Sequence, residues 1–183
     1  MEFEREKQSL LLEGVRYTAN DLHLLKTKVV GASDSSTGQM LYDFLQEWFT
    51  ESPWMTVHTS GSTGKPKKIR ISKDKMMQSA RLTCEFLNLQ IGDTALLCMN
   101  LRYIGAMMVV VRSLVAGLNL IIRPASGHPL ADMKQPLRFA AMVPLQVYNT
   151  LQVPEEKERL RQTDVLIIGG GAIDETLEAE IRN

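Results

Sequence analysis

The sequence predicts an α/β fold in which a mainly parallel sheet carries helices on both faces. First, apolar runs of strand length alternate with helical patterns from Trp54 onward. Second, Gly or Pro stands at the boundaries of these units, as at Gly92, Gly117 and Pro144. Third, the apolar segment Ile104–Ile122 has the length and internal breaks of a buried helix followed by a buried strand. Strand–helix units of this kind place their strands parallel and cover them on both sides.

The N-terminal part is predicted to form a small hairpin followed by two helices. Ser9–Leu12 and Val15–Tyr17 flank a glycine turn and have the pattern of paired strands. Thr18, with Asp21 three residues later, has the pattern of a capping box, so a helix begins there. The polar residues 31–38 are predicted to form a linker. The second helix has apolar residues at helical spacing, namely Leu41, Phe44, Leu45, Trp48 and Phe49.

The rest of the chain is predicted to alternate between strands and helices. The predicted strands are Trp54–Val57, Lys68–Ile71, Thr94–Met99, Leu118–Ile122, Arg138–Val143 and Asp164–Ile168. Four helices are predicted in addition to these strands. The first is capped by Ser72 and runs to about Asn88, and the second is Tyr103–Ala116 with Gly117 as its C-cap. The third begins at Pro144, and the fourth is capped by Asp174. We therefore divide the chain into residues 1–52, with the hairpin and first helices, and residues 53–183, with the α/β region.

The composition is that of an ordinary globular protein, with 44% apolar and 23% charged residues over 183 positions. The formal net charge is zero, so no overall field attracts nucleic acid or an anionic membrane. Arg112, Gly117 and Asn119 interrupt the most apolar segment, which argues against a membrane span. Cys84 and Cys98 stand among apolar neighbours without metal or redox spacing, which predicts core residues of a reduced, cytoplasmic protein. The pattern leaves the oligomeric state open.

One polar stretch, His58–Lys68, reads HTSGSTGKPKK and has the groups needed to hold an anion. Gly61 and Gly64 let backbone N–H groups approach a phosphate, while hydroxyls and lysines add donors and charge. The order differs from that of a Walker loop, because these glycines are three apart and Pro66 follows Lys65. A P-loop kinase or GTPase is therefore disfavoured. On composition alone, a flexible basic surface loop is the alternative.

The order Thr-Ser-Gly-Ser-Thr-Gly-x-Pro-Lys at Thr59–Lys67 resembles the phosphate loop of the adenylate-forming superfamily. That superfamily includes acyl- and aryl-CoA ligases, peptide-synthetase adenylation domains and luciferases. This sequence departs from the pattern at Thr56, where an apolar residue is usual, and at Lys68, where many relatives have Gly. The resemblance implies that residues 53–183 form a nucleotide-binding region. It assigns the phosphates of ATP to Thr59, Ser60, Gly61, Ser62, Thr63, Gly64 and Lys67.

The segment Asp164–Ala172 resembles a second element of the superfamily, a strand that ends in a turn of small residues. The alternative is a tight strand-to-helix turn that binds no ligand. Its distance after Thr59–Lys67 favours contact with the adenine of ATP. The resemblance assigns the adenine to Gly169, Gly170, Gly171 and Ala172.

The short N-terminal region Leu11–Leu22 and the middle of the chain resemble o-succinylbenzoate–CoA ligases of the compact bacterial type, which serve menaquinone biosynthesis. This narrower resemblance implies a small carboxylic acid, ATP and CoA as substrates, with Mg²⁺ (magnesium) bridging the phosphates. It places the acyl pocket at Tyr103, Gly105, Met107, Met142 and Pro144. The candidate cationic partners of a dicarboxylic acid are Arg102, Arg112 and Arg123, each equally explained as a surface or salt-bridged residue.

Later elements of the superfamily are expected beyond Asn183: a Tyr-Gly-x-Thr-Glu segment, a ribose-binding Asp and a small C-terminal domain with a catalytic Lys. The chain is therefore interpreted as the front part of a ligase that is inactive by itself, and no catalytic residue is assigned within it. No metal ligand is assigned either, because His23, His58 and His128 lack metal-ligand spacing. Another acyl- or aryl-CoA ligase, an adenylation domain and a non-catalytic nucleotide-binding module are the alternatives.

Overall fold

The computed structural model describes residues 4–30, 35–58 and 68–182. Its strands are β1 (Ser9–Leu12), β2 (Val15–Thr18), β3 (Trp54–His58), β4 (Lys68–Ser72), β5 (Thr94–Leu97), β6 (Asn119–Ile122), β7 (Phe139–Met142) and β8 (Val165–Ile168). Its α-helices are α1 (Leu22–Val30), α2 (Ser35–Trp48), α3 (Lys73–Phe86), α4 (Ile104–Ala116), α5 (Pro144–Leu151), α6 (Pro154–Arg161) and α7 (Glu175–Arg182). Short 3₁₀ turns occupy Arg5–Lys7 and Ala19–Asp21.

Six strands form the central sheet in the order β2-β1-β6-β5-β7-β8. All neighbours from β1 to β8 are parallel, and the edge strand β2 alone runs antiparallel, against β1. The predicted mainly parallel α/β fold is therefore confirmed. Because β1 pairs with β6, the N-terminal hairpin shares this sheet with the rest of the chain. The division at residue 52 stays a prediction about the domains.

Both faces of the central sheet are covered, and alternate residues of each strand point to opposite faces. Ala95 and Leu97 of β5 belong to a hydrophobic cluster with apolar residues of α1, α2, α3 and α4. Leu96 and Cys98 belong to a second cluster with apolar residues of α5, α7 and the segment 130–137. We call these the first and the second face of the sheet. The strands are apolar on both sides because both sides are buried.

Strands β3 and β4 correct one sequence-based inference. They form a separate two-stranded antiparallel sheet, with His58 opposite Lys68 and Trp54 opposite Ser72. The segment 59–67 therefore connects two strands of a hairpin, and the inference from strand–helix alternation that Trp54–Val57 belongs to the parallel sheet is wrong. The physical reason is chain length, because a parallel connection needs about a dozen residues or more, usually including a helix.

Helix α2 begins earlier than the sequence suggested. Residues 35–38 were predicted to belong to a linker but form the first turn of α2, and residues 31–34 of that linker lie outside the described residues. Gly38 faces α1, and a Cβ at this position would collide with the carbonyl of Val29. This glycine thus permits close contact between two helices, a role that local sequence does not distinguish from that of a helix breaker.

Helix α4 confirms the interpretation of the most apolar segment as a helix followed by a strand. The helix ends at Gly117, which adopts the left-handed conformation with φ 68°, as expected for a glycine C-cap. Its 13 residues fall short of the about 20 that span a bilayer. In residues 4–30, 35–58 and 68–182, no helix is both long and apolar enough to cross a membrane.

The predicted helix caps have mixed outcomes. Thr18 and Asp21 form the capping box, in which the Thr18 backbone N–H donates to the Asp21 carboxylate at 2.9 Å. Asp174 also caps α7, since its carboxylate accepts a bond of 2.8 Å from the backbone N–H of Leu177. Ser72 precedes α3 as predicted, but its hydroxyl makes no capping bond. Helix α6 was not predicted, because its sequence PEEKERLR contains too few apolar residues to show a helical stripe.

Candidate functional site

The parallel strands β6, β5, β7 and β8 end at the same edge of the central sheet, which we call the carboxyl edge. Chain direction changes there. After β5 the chain passes through α4 on the first face, whereas after β7 it passes through α5 on the second face. Connections that leave adjacent strands toward opposite faces open a crevice between them. In open α/β sheets, this crevice is the usual place for a ligand.

The predicted adenine segment lies at the carboxyl edge, directly after β8. The backbone N–H of Gly169 donates to the Met142 carbonyl at 3.1 Å, which joins this turn to the end of β7. Gly170 has φ 82°, a conformation that favours glycine, and a Cβ there would lie 3.4 Å from a methyl group of Val143. Gly170, Gly171 and Ala172 are exposed. The turn therefore presents its backbone to solvent while resting on the turn that follows β7.

The predicted phosphate-binding residues Thr59, Ser60, Gly61, Ser62, Thr63, Gly64 and Lys67 lie outside the described residues. The structure does describe the hairpin that carries them. Met55 and Val57 of β3 are buried in the cluster on the first face of the sheet. The guanidinium of Arg70 lies 5.3 Å from the ring centre of Trp54 across the hairpin. The segment 59–67 thus starts and ends on a hairpin that is packed against the core.

A buried lysine anchors the base of this hairpin. Lys73, at the start of α3, is fully buried, and its ammonium donates to the carbonyl oxygen of Thr50 at 2.8 Å. Its backbone N–H donates to the Pro53 carbonyl at 2.9 Å. Next to it, the Glu47 carboxylate accepts a bond of 2.8 Å from the backbone N–H of Thr56 in β3. The sequence alone does not indicate this role of Lys73, because its burial depends on how α2 meets the hairpin.

The burial of Lys73 predicts a pH dependence of stability that Lys73→Met should remove. Burial lowers the pKa of Lys73 from 10.5 to about 8, against a smaller opposing effect of the Glu47 charge. Between these two values the unfolded chain holds a proton that the folded chain has released. The free energy of unfolding should therefore rise with pH across this window. Urea unfolding below pH 8 and near pH 10.5 measures this rise, which should be smaller in Lys73→Met.

The matched control is Lys75→Met, which changes an exposed lysine of the same helix. This variant should keep the pH dependence of the wild-type protein, since it leaves Lys73 and its contacts unchanged. Equal pH slopes for wild type and Lys73→Met would show that Lys73 titrates as an ordinary lysine.

The residues assigned to the acyl pocket do not all meet. Met107 packs in the cluster on the first face, whereas Met142 is fully buried in the cluster on the second face. Tyr103 is half exposed and lies at the carboxyl edge, immediately before α4. Pro144 begins α5 at the same edge, where a Cβ on Gly171 would lie 3.4 Å from its ring. Among these residues, Tyr103, Gly105 and Pro144 lie where a ligand in the crevice would have access.

The three arginines proposed for an acidic substrate lie in different settings. The Arg112 guanidinium packs 5.8 Å from the ring centre of Phe139, at the start of β7, and burial lowers its pKa. Arg112 therefore lies toward the opposite edge of the sheet from the glycine turn. Arg123 lies 3.9 Å from the Glu13 carboxylate and donates to its neighbouring carbonyl. Arg102 is exposed near the carboxyl edge and is the most accessible of the three.

Metal-ligand clustering is absent from the described ranges, which contain no group of three or more His, Cys, Asp or Glu residues that could hold an ion. His128 instead pairs with Glu156, with a distance of 2.9 Å between the imidazole Nδ1 and the carboxylate. Cys84 and Cys98 are buried free thiols, as predicted. Burial raises the pKa of Cys98 to about 12, so this thiol stays protonated at neutral pH.

Gln146, on α5, is a residue at the carboxyl edge that the sequence analysis missed. Its side-chain amide nitrogen donates to the carbonyls of Cys98 and Ser126, both at 2.8 Å. Its amide oxygen accepts a bond of 3.2 Å from the backbone N–H of Val143. A signal was present, because Gln stands at the third position of a helix that begins with Pro, where a capping box has its second member.

Comparison with known proteins identifies the family. Residues 13–183 match the family model described as AMP-binding enzyme. The chain belongs to the AMP-binding enzyme family. In this AMP-binding enzyme, the matched range contains the hairpin β3–β4, the segment Thr59–Lys67 and the glycine turn after β8. The assignment to the adenylate-forming superfamily is therefore confirmed.

The individual relatives of this AMP-binding enzyme have low sequence identity to it. The 2-succinylbenzoate–CoA ligase of Bacillus cereus is 27% identical over 108 residues, which are 58% of this chain and 22% of that protein. An acyl-CoA synthetase (AMP-forming)/AMP-acid ligase II-like protein from Dyadobacter fermentans is similar in structure, with a TM-score of 0.75 and 29% identity over 87% of this chain and 45% of that chain. The o-succinylbenzoate coenzyme A synthetase of Bacillus subtilis, solved with AMP, has a TM-score of 0.57 and 21% identity over 69% of this chain and 27% of that chain, so it shows the fold alone. The chain thus spans less than half the length of these relatives.

Proposed function

We propose that this AMP-binding enzyme chain is the front part of an ATP-dependent acid–CoA ligase, with o-succinylbenzoate as its acid. The observation that carries the proposal is the sequence Thr59–Lys67, which joins two strands of a core-anchored hairpin in a chain whose family match spans residues 13–183. The Bacillus cereus relative, a 2-succinylbenzoate–CoA ligase by name, supports the choice of acid. A cytoplasmic location and service in menaquinone biosynthesis belong to the same proposal.

The proposed reaction has two steps. In the first, a carboxylate oxygen of the acid attacks the α-phosphorus of ATP, and the bond to the β-phosphate oxygen breaks, which gives an acyl-adenylate and pyrophosphate. In the second, the thiol sulfur of CoA attacks the acyl carbonyl, AMP leaves with the bonding electron pair, and the thiol proton passes to solvent. The residues of this chain act mainly in the first step, because they would hold ATP.

The segment Thr59–Lys67 suits the leaving pyrophosphate. Its hydroxyls and backbone N–H groups are donors, and Lys67 supplies a positive charge where negative charge accumulates. The exposed backbone of Gly170, Gly171 and Ala172 suits a flat adenine ring at the carboxyl edge. Magnesium would bind together with ATP, because it usually coordinates substrate phosphates and one or two carboxylates. When bound, it would neutralise phosphate charge during adenylate formation.

Two alternatives remain within this proposal. The first is a ligase for another acyl or aryl acid, which would use the same nucleotide site. It stays open because Met107 and Met142 lie on opposite faces of the sheet and do not form one acyl pocket. A nucleotide-binding module without chemistry would keep the same segments and lack the later elements of the superfamily.

Isotope exchange distinguishes these readings. The natural gene product that contains this chain should exchange labelled pyrophosphate into ATP when o-succinylbenzoate is present, and benzoate is the control acid. The isolated 183-residue chain should show no exchange, since the expected catalytic groups lie beyond it. Exchange with another acid alone would redefine the substrate. ATP binding without exchange for any acid would support the module, and exchange by the isolated chain would show that the catalytic groups are misplaced.

A further inference from the structure

The turns at the carboxyl edge are joined through a single buried side chain, that of Gln146. Gln146 is 5% exposed, and its amide lies among the ends of three strands. The carbonyl of Cys98 follows β5, the carbonyl of Ser126 belongs to the connection after β6, and the N–H of Val143 follows β7. One residue therefore satisfies backbone groups from all three connections.

The fourth turn at this edge rests on the same assembly. Val143 and Pro144 lie directly under Gly170 and Gly171, where a Cβ on either glycine would approach them to 3.4 Å. The Gly169 N–H also donates to the last residue of β7. The glycine turn is thus fixed relative to β7, and Gln146 fixes the end of β7 relative to β5 and β6.

The chemistry of the site is specific for a primary amide. An amide side chain can donate two hydrogen bonds and accept others, whereas a carboxylate only accepts and a thioether does neither to a useful degree. Glu at this position would keep the bond with the Val143 N–H at the start of α5. It would turn a carboxylate toward the carbonyls of Cys98 and Ser126. Met would fill the same volume and lose all three bonds.

We propose that Gln146 is a positioning residue for the adenine of the nucleotide: it fixes the turns after β5, β6 and β7 relative to one another, and the turn after β7 supports Gly169–Ala172. This inference rests on the proposed function, because it takes the glycine turn as the adenine site. Adenine lies away from the reacting phosphorus, so its contacts are equal in the ground state and the transition state. Their loss should raise KM for ATP and leave kcat nearly unchanged.

The test uses Gln146→Glu and Gln146→Met in the natural gene product, assayed by adenylate formation at varied ATP. Both variants should raise KM for ATP about tenfold, which corresponds to the loss of one good contact, with kcat changed by no more than about threefold. Gln152→Glu and Gln152→Met are matched controls, since Gln152 follows the same helix and is exposed. They should leave both constants unchanged.

Hydrogen exchange gives a readout that does not depend on activity. In Gln146→Met, the amides of residues 98–100 and 169–172 should exchange faster, while those of β5 and β6 stay protected. A Gln146→Glu variant with wild-type KM would reduce Gln146 to a helix cap and overturn the proposal. The proposal would also be overturned if both variants lowered kcat as strongly as they raised KM and lowered the melting temperature as well. Loss of the fold in both variants would likewise show a purely structural role. If the wild-type protein bound no ATP, the proposed function would fail, and the exchange rates would still decide whether Gln146 holds the turns together.

Discussion

Thr63→Ala or Lys67→Ala in the natural gene product is expected to slow adenylate formation by about a hundredfold or more. These residues would hold the pyrophosphate, whose negative charge grows as the bond to the α-phosphorus breaks. Contacts that strengthen in this way lower the barrier, and loss of one such donor costs about 3–4 kcal/mol. The fold should survive, because a polar segment between two hairpin strands adds little to the buried core. Single-turnover adenylation and thermal melting measure the two effects separately.

Two neighbouring lysines are the matched controls. Lys65 lies in the same segment, and Lys68 is exposed at the start of β4, opposite His58. Neither has an assigned phosphate contact, so Lys65→Ala and Lys68→Ala should weaken only general attraction of ATP, an effect that salt screens. If Lys67→Ala were as mild as Lys65→Ala, the segment would be a basic surface feature. The proposed function would then lose the observation that carries it.

Trp48→Ala is expected to lower the free energy of unfolding by about 3–5 kcal/mol, as large-to-small changes of buried aromatic residues do. Trp48 ends α2 and is fully buried, and its ring stacks on Phe44 with 5.9 Å between ring centres. Its removal would leave a cavity at the end of α2, next to Glu47, which binds the hairpin strand β3. A loss of this size is a large part of the about 5–15 kcal/mol that stabilises a typical domain. Urea unfolding measures it.

The control is Trp54→Ala, which removes the other tryptophan of the chain. Trp54 is 43% exposed on β3, and the guanidinium of Arg70 lies over its ring. Its loss should cost about 1 kcal/mol, the scale of an exposed cation–π contact. Similar costs for the two variants would mean that Trp48 does not contribute to the core as its burial indicates.

The sequence by itself determined the α/β class, the family and most of the elements. The reason is that these depend on local or ordered patterns. The apolar run around β5 predicted a strand, Gly117 predicted the end of α4, and Thr18 with Asp21 predicted a capping box that the structure contains. The order of residues in Thr59–Lys67 sufficed to indicate the superfamily, because glycines, hydroxyls and lysine must keep a set spacing to surround a phosphate.

Tertiary structure decided which strands pair and which polar residues are buried. Local propensity gives β3 and β4 as strands but does not say that they leave the central sheet, because pairing partners are chosen by packing between distant segments. Likewise, Met107 and Met142 look equivalent in sequence and are separated by the sheet. Lys73 and Gln146 resemble ordinary surface residues until the chain folds. Each is buried because backbone carbonyls from other elements, Thr50 for the lysine and Cys98 and Ser126 for the glutamine, replace the water that its polar group loses.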